Sequence, residues 1–168
     1  MTTRTLVLLR HAKAERENGL GDAERPLAAR GRRQATSLGP LLAEQVGAVD
    51  VALVSGALRT TETYKLLAAT WPGAPESDVR DELYLAGPRD VLEVLAELPD
   101  DVTRVLVVGH EPTMSSLAHL VNGERSTLAD MVVHGMGTGN AAVLEVPVAW
   151  GELDRSTARL VAVVRPEE

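Results

Sequence analysis

Three short apolar runs, each handing a cationic or imidazole side chain to its carboxyl end, constrain this chain more than any other feature. The run from Thr5 to Leu9 leads into Arg10 and His11. The run from Val51 to Val54 passes through Ser55 to Arg59, and that from Val105 to Val108 passes through Gly109 to His110. Val- and Leu-rich runs of this length, bounded by polar or Gly residues, read as strands buried on both faces of a parallel sheet. In open α/β sheets ligands bind beyond the carboxyl ends of the strands, so two Arg and two His from three distant segments are expected at one edge.

The rest of the chain supplies the helices such a sheet needs. After the first strand, Ala14 to Arg25 reads as a polar loop. A helix is expected from Ala28 to Gln45, with Leu38, Leu41, Leu42 and Val46 on one face and Gly39-Pro40 positioned to kink or divide it. Val49 to Val54 reads as the second strand and Ala57 to Ala69 as a helix stopped near Trp71-Pro72-Gly73. Val79 to Leu85 is expected as a short edge strand and Pro88 to Leu98 as a helix with Pro at its start. The strand at Arg104 to Val108 precedes a helix opened by Pro112-Thr113 and closed by Asn122-Gly123. Ala141 to Val148 and Ala158 to Val164 read as a strand hairpin closing one end of the sheet. With no repeat or linker, the expectation is one α/β domain over residues 1–168, a mostly parallel sheet with helices on both faces.

Composition narrows the function classes. The apolar share of 45% is built on Leu, Val and Ala, since the chain has two Trp, two Tyr and no Phe. So few aromatic faces make a base-stacking surface for single-stranded nucleic acid a poor reading. The net charge of -7 argues against nucleic acid or an anionic membrane as partner. Residues 1–33 nevertheless hold eight Lys/Arg against four Asp/Glu, whereas the remainder holds nine against twenty. A basic segment in an acidic chain suggests a local anion site, although Arg30, Arg32 and Arg33 are read as the solvated face of a helix. The absence of cysteine removes disulfides, thiolate metal sites and Cys nucleophiles. No stretch approaches the ~20 apolar residues of a membrane span, and the first apolar run is too short for a signal peptide. A cytoplasmic location is the expectation.

Other motifs fail on spacing. Gly135 to Gly139 imitates a dinucleotide fingerprint but runs into a strand-like segment instead of a helix. His110-Glu111 begins like a zinc-protease motif, yet Met114 stands where the second His belongs. No Walker loop and no G-x-S-x-G elbow occurs.

Two Arg and two His suit one chemistry well. A phosphate monoester near neutral pH is largely dianionic, so attack on it needs cations that gather its oxygens and a nucleophile that is not repelled. Arginine's planar, permanently charged fork suits the first task. A neutral imidazole suits the second, and nearby Arg10 and Arg59 would lower its pKa. A second imidazole can stabilise charge on the transferring group.

The segments "LVLLRHA", "RPLAARGRRQA", "VSGALRTTETY" and "VVGHEPTMSSLAHLV", in this order, resemble the histidine phosphatase superfamily, the phosphoglycerate-mutase-like group. The short length and the Asp22…Arg25-Pro26-Leu27…Gly31 segment resemble its compact SixA-type branch, which removes phosphate from protein histidine. The resemblance implies that His11 is the nucleophile and carries a covalent phosphohistidine. Arg10 and Arg59 would bind the phosphoryl group, His110 would stabilise it, and Arg25 would bind it additionally. It implies no metal and no organic cofactor. Ala12 departs from the family's Gly, which is tolerable if the backbone there avoids positive φ.

Glu82, in the region where many members keep a general acid, is the candidate for that role beside the alternative of an exposed acid on an edge. A phosphohistidine substrate lessens the need, because an imidazole already carrying a proton departs neutral. The favoured expectation is a phosphatase acting on phosphohistidine in a protein, admitted by the single helix that fits between Leu85 and Arg104 where larger members carry covering insertions. A phosphatase for small phosphomonoesters is the alternative, and a non-catalytic phosphate-binding module a weaker one. His119 and His134 are expected at the surface or in packing, Ser55 and Thr60 as hydrogen-bond donors to phosphate or helix caps, and Glu111 as an orienter of His110 or a solvated acid.

Overall fold

Strand residues alternate between two faces, and both faces of this sheet are covered, which is why the three runs are apolar at every position. Leu6, Leu8, Leu53, Val105 and Val107 enter one core, while Val7, Leu9, Ala52, Val54, Leu106 and Val108 enter the other. The computed structural model describes residues 2–17 and 19–168. Met1 and Asn18, the latter inside the loop expected from Ala14 to Arg25, lie outside the described residues.

The order is β1 (Arg4–Arg10), α1 (Ala29–Val46), β2 (Val51–Ser55), α2 (Leu58–Ala69), β3 (Ser77–Arg80), α3 (Pro88–Ala96), β4 (Arg104–Gly109), α4 (Thr113–Val121), α5 (Thr127–Val133), β5 (Ala141–Val146) and β6 (Arg159–Val164). They form one sheet in the order β3-β2-β4-β1-β5-β6. The β1–β4, β2–β4 and β2–β3 pairs are parallel, and β5 runs antiparallel to both β1 and β6. Residues of α1 and α2 pack on one face, and those of α3, α4 and α5 on the other. The expected mostly parallel α/β sheet with helices on both faces is what the chain forms. Among the described residues no helix is long and apolar enough to cross a membrane.

Register turns this sheet into a site. Arg10 pairs with Gly109 across β1 and β4, and Val54 pairs with Val108 across β2 and β4. Ser55 is therefore level with Gly109, and the next residue along both β1 and β4 is a histidine. The edge strand is shorter than expected: β3 ends at Arg80 and the chain turns through a 3₁₀ segment, Asp81–Leu83, which buries Leu83. Helix α5 was not expected; Ser126 caps it by accepting from the Ala129 N–H at 3.1 Å.

Helix α1 is not divided at Gly39-Pro40. Proline removes the N–H that would reach the Thr36 carbonyl, and Oγ1 of Thr70, the residue after α2, donates to that carbonyl instead, at 2.9 Å. The start of α1 lies against the loop after β1, where the Ala28 N–H donates to the Lys13 carbonyl at 2.9 Å. A side chain on Gly31 would place its Cβ 1.9 Å from that same oxygen. Gly31→Ala is therefore expected to push α1 off this loop. Overpacking of this kind costs about 2 kcal/mol, or roughly 5 °C in the thermal midpoint of a chain this size. Thermal unfolding followed by circular dichroism checks it, and an unmoved midpoint would contradict the close packing.

Candidate active site

The end of β1 is fixed from both sides. The His11 N–H donates to the Gly109 carbonyl at 3.1 Å, and the Gly139 N–H approaches the Arg10 and His11 carbonyls at 3.1 Å each. The Ala12 N–H donates to Thr63 Oγ1 at 3.0 Å, and that hydroxyl donates to the Arg59 carbonyl at 2.7 Å. The β1 and α2 contributions are thus locked together by one threonine. Ala12 is fully buried against Leu27 and Ala35. Among the described residues only Ser156 combines a side chain with positive φ, so Ala12 sits where a Cβ is accommodated.

His11 is only 8% exposed. Its Nδ1 lies 2.8 Å from the Ala12 carbonyl, which can only accept, so Nδ1 carries the proton and the Nε2 lone pair is free. Burial, followed by the charges of His110, Arg59 and Arg10, lowers its pKa to about 3 against the opposing pull of the Ala12 carbonyl. The arginines contribute as expected, but desolvation is the larger cause. At neutral pH the ring is an uncharged nucleophile.

His110, the residue after β4, places its ring centroid 5.5 Å from that of His11. Arg59 Nη2 lies 3.4 Å from Nδ1, and Ser55 Oγ lies 2.7 Å from Nε2. A guanidinium can only donate, so Nδ1 accepts and Nε2–H donates to Ser55. Burial and the charge of Arg59 lower the His110 pKa to about 4, with Asp22 pulling the other way.

Both arginines keep a donor in reserve. Arg10 Nη1 donates to the Met136 carbonyl at 2.8 Å. Arg59, 6% exposed, donates from Nη1 to the Asp22 carbonyl at 2.7 Å and from Nη2 to Asp22 Oδ2 at 2.9 Å. The Nε–H of each is buried without a partner. Arg4 shares that feature at the opposite end of β1, where its Nη atoms bind the Val148 and Asp100 carbonyls. The arrangement at the carboxyl end, a free imidazole nitrogen beside a buried and a half-buried arginine, each with an unpartnered Nε–H, can receive a tetrahedral anion.

A polar rim closes the cluster. Asp22 Oδ2 also accepts the Tyr84 hydroxyl, and Oδ1 accepts from Arg25 Nη1 at 2.9 Å. Tyr84, then Arg25 and Arg59, hold the Asp22 carboxyl well below the usual carboxylate range. The Tyr84 ring stands edge-on to His110 at 5.5 Å, with the Arg59 guanidinium 5.9 Å from its centroid.

The sequence profile described as histidine phosphatase superfamily (branch 1) matches residues 6–83, which hold Arg10, His11, Arg25 and Arg59. A solved structure from Nakamurella multipartitia, provisionally named phosphohistidine phosphatase SixA, is 35% identical, with TM-score 0.86 over 99% of this chain and 98% of that one. The chain belongs to the histidine phosphatase superfamily. It falls in the SixA-type branch: a second structure, from Agrobacterium tumefaciens and provisionally given the same name, is 28% identical with TM-score 0.78, covering 97% of this chain and 99% of that one. The uncharacterized protein Rv1276c of Mycobacterium tuberculosis is 38% identical over 156 residues, 91% of this chain and 96% of its own length.

Within this phosphatase, four expected site residues, Arg10, His11, Arg59 and His110, converge. Arg25 reaches the rim: its Nε donates to the Glu15 carbonyl at 2.8 Å and its Nη1 engages Asp22, so it meets the cluster through that carboxylate. Of the two readings of Glu82, its placement matches the exposed acid on an edge. Its carboxylate is exposed and accepts from Arg80 Nη1 at 2.8 Å, beside a hollow shared with Asp90, Glu93 and Glu97. The turn that buries Leu83 aims Tyr84, not Glu82, at His110.

Glu111 neither orients His110 nor faces solvent. It accepts from the Ser115 N–H and Oγ and from the Met136 N–H, tying α4 to the loop that Arg10 grips. Thr60 Oγ1 holds the β2–α2 turn through the Ser55 and Ala57 carbonyls. His119 and His134 are exposed. Sequence reasoning missed Asp22 and Tyr84 as members of the site and the partnership of Ser55 with His110. Asp22 carried a usable signal, standing three residues before Arg25 in the segment that set the compact branch apart. Among the described residues no group of three or more His, Cys, Asp or Glu is arranged to hold a metal ion.

Proposed function

We propose that the protein removes the phosphoryl group from phosphohistidine in a protein substrate, through a phosphohistidine formed on His11. The observation that carries this is the state of His11: Nδ1–H committed to the Ala12 carbonyl, Nε2 free, two guanidinium groups with buried open donors alongside. In the first step the Nε2 lone pair forms a bond to phosphorus. The bond from phosphorus to the substrate's ring nitrogen breaks, and its electron pair stays on that nitrogen. The substrate ring departs neutral when its other nitrogen already carries a proton. Arg10 and Arg59 gather the equatorial oxygens. The incoming negative charge raises the His110 pKa from its lowered resting value, which favours a proton on this ring as the phosphoryl group binds.

In the second step water attacks the phosphoryl group on His11, the pair of the P–N bond returns to Nε2, and the water's proton passes to phosphate or solvent. His11 leaves as a neutral imidazole because Nδ1 never lost its proton. The carboxylates support this substrate class. Asp22 is held ionised by three donors and Glu82 is occupied by Arg80, so neither is set up to protonate an alkoxide.

Side-by-side rates test this. A phosphohistidine-bearing protein is expected to exceed a panel of sugar phosphates in kcat/KM by roughly 10²–10⁴-fold, the usual contribution of general acid catalysis that an alkoxide leaving group forgoes here. Sugar phosphates turned over as fast would transfer the assignment to small phosphomonoesters.

A further inference from the structure

Resting on that reading, we propose that Asp22 is the residue that selects the leaving group: its carboxylate, held at the mouth by Arg25, Arg59 and Tyr84, accepts the free ring N–H of the substrate phosphohistidine.

The geometry supports this in three ways. His11 lies at the floor, and phosphoryl transfer keeps attacking and departing atoms roughly in line, so the departing ring points outward. The Asp22 side chain is 47% exposed and joined through Arg59 to the His110 that faces His11, which puts it at the mouth and one guanidinium from the anion. Its oxygens have capacity to spare. A carboxylate offers about four acceptor positions. Oδ2 takes Arg59 and Tyr84, while Oδ1 takes Arg25. One position on Oδ1 remains for a donor from the substrate.

Chemistry gives that position its use. A phosphoimidazole releases neutral imidazole only if its far nitrogen is protonated; otherwise it must release imidazolate. An acceptor for that N–H favours the reactive form. The Ala12 carbonyl already does this for His11 on the other side of phosphorus. The transferring group would thus pass between two imidazoles, each with its far N–H held by an oxygen. The same carboxylate repels leaving groups that carry their own negative charge.

The experiment compares kcat/KM for a phosphohistidine peptide and for p-nitrophenyl phosphate, whose leaving group has no N–H. Asp22→Asn is expected to lower the rate on both substrates through the loosened Arg59, and to lower the rate on phosphohistidine roughly 10–100-fold further than the rate on the aryl phosphate, the value of a hydrogen bond to a charged group. Tyr84→Phe, which takes one donor from Oδ2 and leaves both arginines, is expected to produce a smaller loss with the same selectivity. Equal losses on both substrates would reduce Asp22 to a support for Arg59 and overturn the inference, as would no loss on either. A wild-type enzyme that shows no preference for phosphohistidine overturns the substrate assignment first and this inference with it.

Discussion

His11→Asn is expected to cut turnover by roughly 10⁴-fold or more, because among the described residues the other imidazole at the anion site, His110, has both ring nitrogens engaged. Affinity for inorganic phosphate should change less than about 10-fold, since Arg10 and Arg59 keep their places through Met136, Thr63 and Asp22. The same replacement should make the fold more tolerant of acid. The His11 pKa is about 3 in the folded chain, below the ordinary imidazole value of 6.5. Its neutral form is fully compatible with the fold above pH 6.5, and stability is lost as pH falls from there toward the folded value, because the unfolded chain takes the proton first. At pH 5 the loss attributable to this ring is about 2 kcal/mol. Denaturant unfolding of both proteins at about pH 7.5 and pH 5 measures it, and the pH-dependent loss should shrink by that amount in the variant. His110 retains its own share of the loss. A variant that keeps more than about 1% of the turnover, or that gains nothing at pH 5, would contradict the assignment of His11 as a buried neutral nucleophile.

That four of the site residues could be read from sequence has a physical reason. Strands covered on both faces must be apolar at every position, so β1, β2 and β4 stand out, and each ends where its polarity begins. Arg10, His11, Arg59 and His110 stand at or within a few residues of those boundaries. What resisted reading depends on contacts made between distant segments. The unbroken passage of α1 through Pro40 relies on a hydroxyl from Thr70. Ser55 looks like a helix-capping residue until parallel register brings His110 beside it. Glu82 and Tyr84 sit two residues apart on one turn, and the burial of Leu83 decides which of them faces the site. Asp22 has no local pattern of its own; its role exists only where the loop after β1 meets Arg59 and Tyr84. Helix α5 is a single capped segment too short for its periodicity to register.

Arg59→Ala is expected to lower kcat/KM roughly 10³-fold, and the pH profile should change shape as well as height. In the wild type the acid limb of kcat/KM reports the free enzyme, and with the His11 pKa near 3 and that of His110 near 4 it should lie far below the usual imidazole value. Arg59 is among the charges that lower both rings. Its removal therefore moves both pKa values up, and the acid limb with them, toward neutrality. Arg59→Lys should recover the electrostatic part, returning the limb most of the way, yet restore less than about a tenth of the rate. One ammonium cannot hold the Asp22 backbone carbonyl, the Asp22 carboxylate and His110 Nδ1 and still offer a donor to the phosphoryl oxygens. Imidazole titrations by NMR on the three proteins, with circular dichroism to show that each is folded, separate this from simple unfolding, which would bring His11 and His110 to the ordinary value together. A limb that stays in place when Arg59 is removed would mean that burial alone keeps the two rings neutral. The guanidinium would then serve only to bind the anion.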